Sequence, residues 1–501
     1  MHWCRAWCVT LLTGAALGAC RPELRYRTPS EIGPSSSQAR EPGSRSGQLE
    51  SANGWQPLDQ DLELAIRRAV DTDASLGAHR VDIGVSKGVV TFSGRAGSGP
   101  SVQRMLDIAE RTRGVLMSVS QVEVAPPPVP DSEIHAAINT LLGADLALQG
   151  GEIEVSLRRG QVTISGEVRS KAQVALATEL CWSARGVSSV SNRLTPRPNE
   201  ARSDAEVQHD LVRRLAIDAY LHDRSIQVRA EGGAVTLRGT VPSAFLKRRA
   251  RALSEFVASS VSDLEVRVEG VAPGESPIAA SDEQTTGAVE DALAYDPRLE
   301  GVQLGVRATR GTVLLTGTVE SLRQKLAAER SALETVGVWA VENALQVRPA
   351  LGLADDELLG RLRDRIRRDA VAGGADIRVE VVNARAILRG SVSSREEKVL
   401  AEIAVAGEPA LIAVDNRLSV DKVASPLRDD LAIEDEIESR LSWDARVDPA
   451  RIFVEVHDGV ALLRGEVASR TVYDATLESA FAAGAREVVA GLRREDGALA
   501  R

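Results

Sequence analysis

Val162-Thr-Ile-Ser-Gly-Glu-Val168 is one of six near-copies of a single phrase. The others are Val90-Thr-Phe-Ser-Gly-Arg-Ala96, Val235-Thr-Leu-Arg-Gly-Thr-Val241, Val313-Leu-Leu-Thr-Gly-Thr-Val319, Ala386-Ile-Leu-Arg-Gly-Ser-Val392 and Ala461-Leu-Leu-Arg-Gly-Glu-Val467. Their glycines, at 94, 166, 239, 317, 390 and 465, are 72, 73, 78, 73 and 75 residues apart. So regular a period marks one unit repeated six times and fixes the organisation of the chain. Apolar residues alternate around the glycine, as in Val313, Leu315 and Val319, which is the pattern of a strand with one buried face. The glycine falls on that apolar face, where a missing side chain lets a helix pack close or the strand bulge.

Upstream of each phrase lies a second alternating stretch, such as Ile153/Val155/Leu157 or Ile377/Val379/Val381. The two are joined by a tight link, for example Arg158-Arg-Gly160 or Val382-Asn-Ala384. Gly or Asn at this link tolerates positive φ and predicts a β-hairpin. Before the hairpin, apolar residues spaced by four (Leu62/Ile66/Val70, Ile134/Ile138/Leu142, Val207/Leu211/Leu215, Leu358/Leu362/Ile366) predict an amphipathic helix. Asp59, Asp131, Asp204 and Asp355 are its expected N-caps. A second amphipathic stretch follows the phrase (Val174/Ala177/Leu180 in the second unit), and a short strand such as Val414-Asp-Asn416-Arg-Leu418 closes each unit. The expected fold class is α+β: six tandem α-β-β-α-β modules, each a three-stranded mixed sheet with two helices on one face. The hairpin pair is antiparallel, and the closing strand, reached through a helix, pairs parallel.

In the fourth unit the pattern reads Val302-Gln-Leu-Gly-Val306, Gly311-Thr-Val-Leu-Leu-Thr-Gly-Thr-Val319 and Gly337-Val-Trp-Ala-Val-Glu-Asn-Ala-Leu345. This text resembles the BON domain of bacterial envelope proteins, and six copies in register carry the resemblance across nearly the whole of 57–494. The expected boundaries are 56–126, 130–196, 203–270, 282–349, 353–422 and 427–494. Units one, three and six depart from the family pattern by lacking the Asn of the last strand, with Gln121 and Asp263 in its place in the first and third. Unit five lacks the hairpin Gly.

The N-terminus carries a different signal. Trp7 to Ala19 is an apolar run after Arg5, too short to span a bilayer but suited to a secretory signal. Leu17-Gly18-Ala19-Cys20 resembles the lipobox of bacterial lipoproteins. That resemblance implies removal of 1–19 and acylation of Cys20 on sulfur and nitrogen, which anchors stably because more than one chain is buried. With Arg21 rather than Asp next, it implies the periplasmic face of the outer membrane. Residues 20–55, rich in Ser, Gly, Pro, Arg and Glu, read as a tether with a reach of roughly 30–35 Å.

Composition narrows the function. Hydrophobic residues make up 43% and charged residues 26% of the 501, so the units have globular cores, and with only 3% aromatics those cores rest on Val, Leu, Ile and Ala. A net charge of −10 argues against nucleic-acid binding. The six histidines are scattered without metal spacing, and no phosphate loop, nucleophile elbow or zinc helix is written in the chain. Cys181 reads as a small core residue. No catalytic residue, metal, cofactor or small-molecule substrate is expected.

Two basic clusters stand out as candidate contacts to anionic lipid, since each Lys or Arg near such a surface contributes about 1 kcal/mol. Lys247, Arg248 and Arg251 share one face of a helix beside Phe245, Leu246 and Phe256, and Arg361, Arg365 and Arg368 share a face of another. BON proteins are associated with phospholipid surfaces, so the resemblance implies a non-catalytic, lipid-anchored scaffold that contacts membrane phospholipid or other envelope components. A soluble periplasmic osmotic- or envelope-stress protein that holds unfolded chains, and a purely structural spacer, are the alternatives. Pro126-Pro-Pro-Val-Pro130 and Thr195-Pro-Arg-Pro198 are stiff joints that favour an extended row of modules, on the order of 150 Å long, over a compact bundle.

Overall fold

The computed structural model describes residues 57–494 apart from 74, 77–79, 198–202, 223, 259, 270–279, 351 and 421–428, together with 498 and 500. Cys20, the leader and the tether lie outside the described residues. Each unit follows one plan. In module 2 the first helix is Asp131–Ala144, the hairpin Glu152–Arg158 and Gln161–Val168, the second helix Lys171–Trp182 and the closing strand Ser189–Pro196. The glycine-bearing strand is central, antiparallel to the first strand and parallel to the last. The same topology recurs in all six sheets, with the closing strand of module 4 split into Ala340–Asn343 and Gln346–Val347. The expected α+β plan is therefore the one observed.

The hairpin turns explain the helix starts. Asp59, Asp131, Asp204 and Asp355 are the first residues of their helices rather than the caps before them. Their carboxylates reach across to the hairpin instead. Asp131 accepts the backbone N–H of Arg159 at 2.7 Å and of Gly160 at 3.0 Å, and Asp59, Asp204, Asp355 and Asp430 make the same pair of bonds in their modules. Both central residues of the turn have positive φ, as at Arg159 (53°) and Gly160 (74°). In module 5 Ala384 takes the glycine position at φ 55°. Each second helix has a true side-chain cap, from Ser98, Ser170, Ser243, Ser321, Ser394 and Ser469.

The repeated glycine is a backbone requirement, and its close neighbour is a strand, not a helix. Gly166 has φ 121°, and a Cβ there would stand 1.8 Å from the carbonyl oxygen of Glu152 on the antiparallel strand. Gly390 and Gly465 are equally close to Asp376 and Arg451, at 1.9 Å each. Around it, Ile138, Val162, Ile164, Ala177 and Cys181 form the dry core of module 2. Burial pushes the Cys181 thiol up to about 12, as suits a core residue.

The closing-strand asparagines lock strand to helix. Asn192 donates to the Val174 carbonyl (3.1 Å) and Thr178 Oγ1 (2.6 Å) and accepts the N–H of Leu194. Asn343 and Asn416 repeat this, with Glu329 and Glu402 as side-chain partners. The register corrects the alignment of the other modules. Asn192 pairs with Ile164, and the equivalent partners are Ser120, not Gln121, and, across a bulge, Leu264, not Asp263.

The extended row does not hold. Modules share their cores, both neighbours and those distant in sequence: Trp443 of module 6 and Ala244 of module 3 pack into module 1, Leu322 and Leu326 of module 4 into module 5, and Trp339 of module 4 onto module 6. The proline joints set the direction of the chain over a few residues, whereas burial between modules sets the arrangement.

Candidate functional site

An aspartate stands at the C-terminal end of every first helix: Asp73, Asp145, Asp218, Asp296, Asp369 and Asp444. Each carboxylate accepts a backbone N–H two residues on, from Ser75, Ala147, Tyr220, Arg298, Val371 and Arg446. This local turn reverses the chain into the first strand. Three of these turns, at Asp218, Asp369 and Asp444, are where modules join.

Three joints have one design. Arg113 N–H donates to the Trp443 carbonyl and Ala445 N–H to that of Arg111, tying module 1 to module 6. Arg185 with Arg368 and Ala370 with Ser183 tie module 2 to module 5, and Ala219 with Glu334 and Val336 with Ile217 tie module 3 to module 4. In each, a short antiparallel bridge links the end of a second helix to the aspartate turn of another module: Thr112 to Asp444, Ala184 to Asp369, Thr335 to Asp218. The pairs 3–4, 2–5 and 1–6 are nested, so the string of modules doubles back on itself at its middle.

Arginines reinforce these joints. Glu478 of module 6 receives Arg111 (3.2 Å) and Arg104 (3.5 Å) of module 1 and Arg446 (3.0 Å) of its own module. Burial opposes ionisation of Glu478, but the guanidiniums of Arg446, Arg111 and Arg104 outweigh it and hold the carboxyl well below the usual range. Arg249 bridges Asp218 (2.6 Å) and Glu334 (3.1 Å) between modules 3 and 4, lying over the Tyr220 ring, which Phe245 meets edge-on at 5.2 Å. Burial likewise works against the Glu334 charge, yet Arg249 and Arg330 bring its pKa down to about 2. Arg323 of module 4 pairs with Asp145 of module 2. Where modules 2, 4 and 5 meet, Asp145, Arg298, Arg323 and Gly407 line a cleft of about 10 Å³, room for about one water.

Several arginines of the basic clusters predicted as lipid contacts are engaged inside the protein. Arg248 is held by Asp107 (2.6 Å) and Glu110 (2.8 Å) of module 1. Arg365 donates to the Gly407 carbonyl at 2.6 Å, and burial lowers its pKa to about 10. Phe245 and Leu246 are buried in module 3, so neither is a surface aromatic or apolar neighbour for Lys247. Arg251 pairs with Glu255 one turn on and Arg361 with Glu357 and Glu408, both arginines keeping about half of their side chains exposed, 58% and 49%. Arg368 lies 3.9 Å from Asp364 and lends its carbonyl to the 2–5 joint. Lys247 is half-buried. The joint aspartates were legible as a second residue in register, always 21 positions before the glycine, but their inter-module role was not.

Among the described residues, no group of three His, Cys, Asp or Glu is placed to hold a metal ion, and no helix is long and apolar enough to cross a membrane. The BON domain profile matches residues 58–126, 130–198, 203–270, 281–349, 354–422 and 429–494. The chain belongs to the BON domain family. Within that family it is 29% identical over 133 residues to the osmotically-inducible protein Y of Escherichia coli (strain K12), a match covering 25% of this chain and 66% of that protein, just under two thirds of its length. Two solved structures of CdsD, a structural protein of the type III secretion system of Chlamydia trachomatis, are also similar. One is 18% identical, covering 42% of this chain and 91% of that one, and the other, the C-terminal domain, is 15% identical, covering 44% and 100%. Both superpose with a TM-score of 0.12, so they bear on neither the arrangement of the BON modules nor their function.

Proposed function

We propose that this BON protein is a non-catalytic component of the bacterial envelope, of the osmotic-stress type, that works through its outer surface at phospholipid membranes. The observation that carries the reading is the use of the helix ends. Second-helix ends of modules 1, 2 and 4 and aspartate turns of modules 6, 5 and 3 are spent on one another in three nested joints, and the strongly perturbed Glu478 and Glu334 serve two of those joints. That design builds one body that presents several modules together, which suits repeated weak surface contacts. The likeness to the osmotically-inducible protein supports the stress context, and the lipobox supports a lipid anchor at Cys20. Arg251, Arg361, Arg368 and Lys247 are the members of the two basic clusters with surface left for headgroups.

Sedimentation of the unlipidated protein with vesicles of phosphatidylglycerol and phosphatidylcholine tests the membrane reading, with binding expected at low salt and lost as salt screens it. Absence of binding, together with suppression of aggregation of an unfolded client, overturns it in favour of a holding function. Incorporation of labelled palmitate, abolished in Cys20→Ser, is the expected result for the anchor.

A further inference from the structure

Three large apolar side chains are exposed together at the hairpin end of module 1. Leu58 is 69% exposed, Met117 51% and Leu116 40%. One turn gathers them. Leu58 precedes Asp59, whose carboxylate accepts the N–H groups of Lys87 (2.7 Å) and Gly88 (2.9 Å). Leu116 donates its N–H to the Gly88 carbonyl at 2.8 Å, and Met117 opens the closing strand, opposite Val89. At the tip of that turn stands Lys87, exposed and held at φ 51°, a conformation that L side chains with a Cβ seldom adopt. Exposed apolar residues beside a cation at one end of a domain are the make-up of a membrane-interface contact, where the apolar groups enter the headgroup boundary and the cation meets lipid phosphate.

The other hairpin ends lack the combination among the described residues. Module 6 exposes Leu431, but its turn carries Asp458 where module 1 carries Lys87, with Asp430 in the place of Asp59. Module 5 exposes a single large apolar residue at its turn, Val382, beside Asn383 and opposite Arg385. Modules 2 and 4 carry Arg159 and Arg310 at their tips, and at the latter Arg494 of module 6 closes onto the Arg310 carbonyl. Module 1 is also the unit that follows Cys20 most closely, 37 positions before Pro57.

Resting on the reading that the protein works at phospholipid, we propose that the hairpin end of module 1, formed by Leu58, Lys87, Leu116 and Met117, is its principal contact with an anionic bilayer. This surface is distinct from the basic helices of modules 3 and 5. The full chain lacking only residues 1–20 is sedimented with vesicles of phosphatidylglycerol and phosphatidylcholine in three forms: unchanged, Leu58→Asp/Met117→Asp, and Lys247→Glu/Arg251→Glu. The tip variant is expected to bind at least ten-fold more weakly and the helix variant within about two-fold of the unchanged protein. Both changed positions are exposed, and an unaltered melting curve checks the fold. Equal binding by the tip variant overturns the inference while the membrane reading stands. Loss of binding in the helix variant alone assigns the contact to modules 3 and 5 and also overturns it. Failure of the unchanged protein to bind removes the membrane reading itself.

Discussion

Glu478 of module 6 accepts a hydrogen bond from Arg111 of module 1 at 3.2 Å, across 367 positions of sequence. The carboxylate also takes Arg446 and Arg104, so it is shared by the first and last modules at the open end of the doubled-back string. Removing its charge leaves three guanidiniums facing each other. Glu478→Gln should therefore weaken the 1–6 joint by about 2 kcal/mol, less than the roughly 3–5 kcal/mol of a fully buried pair because a third of the side chain meets solvent. Small-angle scattering reads the result. The compact arrangement gives a radius of gyration near about 22 Å for the folded part, against about 40 Å for a row of modules. The variant should move upward from the first value, and an unchanged protein already near the second would contradict the nested pairing.

Glu334 gives the arrangement a pH dependence. Its pKa in the folded protein is about 2, below the ordinary 4.5, because Arg249 and Arg330 outweigh burial. A depressed carboxyl contributes stability that is fully present above 4.5 and lost as pH falls through about 2. Glu478 acts in the same direction, whereas Glu110, which burial pushes upward despite Arg248, acts in the opposite one. Urea titrations between pH 6 and pH 2 should show falling stability in the unchanged protein and a flatter profile in Glu334→Gln. Parallel profiles would rule out this joint as the source.

The repeated glycines should not be equally sensitive. Gly166→Ala places a Cβ 1.8 Å from a backbone oxygen, while at Gly317 the corresponding distance is 3.2 Å, and both have positive φ. The expected cost exceeds about 3 kcal/mol at Gly166 and is about 1–3 kcal/mol at Gly317, where only the strained φ and a small shift matter. Thermal melts of the two variants give the ranking directly, and a reversed order would mean that the close strand approach does not govern these positions.

The serine caps offer a milder series. Ser170 accepts the Gln173 N–H, and its equivalents repeat the contact in every module. Ser170→Ala should cost about 1 kcal/mol, and Ser170→Asp far less because Asp caps equally well. Hydrogen exchange at the start of the helix Lys171–Trp182 is the local readout, with faster exchange expected in the alanine variant alone.

Much of the module was legible in the sequence. The helix stripes, the hairpin turn and the central strand all arise within about 70 residues, where 3.6- and 2-residue periods and turn residues report local structure directly. The caps were less legible. Asp131 sits where an N-cap is expected, yet its carboxylate serves a turn 28 positions away, a choice that depends on the hairpin folding back onto the helix. The basic helices were visible as charge, but Arg248 and Arg365 gave no sign of being occupied, since a charged face looks the same whether it meets water, another module or a carbonyl of its own module.

By itself, then, the sequence determined six modules, their register and their internal topology, because those depend on contacts along a short stretch of chain. Only the tertiary structure decided that module 3 joins 4, 2 joins 5 and 1 joins 6. That choice rests on backbone groups at helix ends and on arginine–carboxylate pairs such as Arg249 with Glu334, 85 positions apart. Such partners carry no periodic signature, and it is complementary geometry between folded surfaces that selects them.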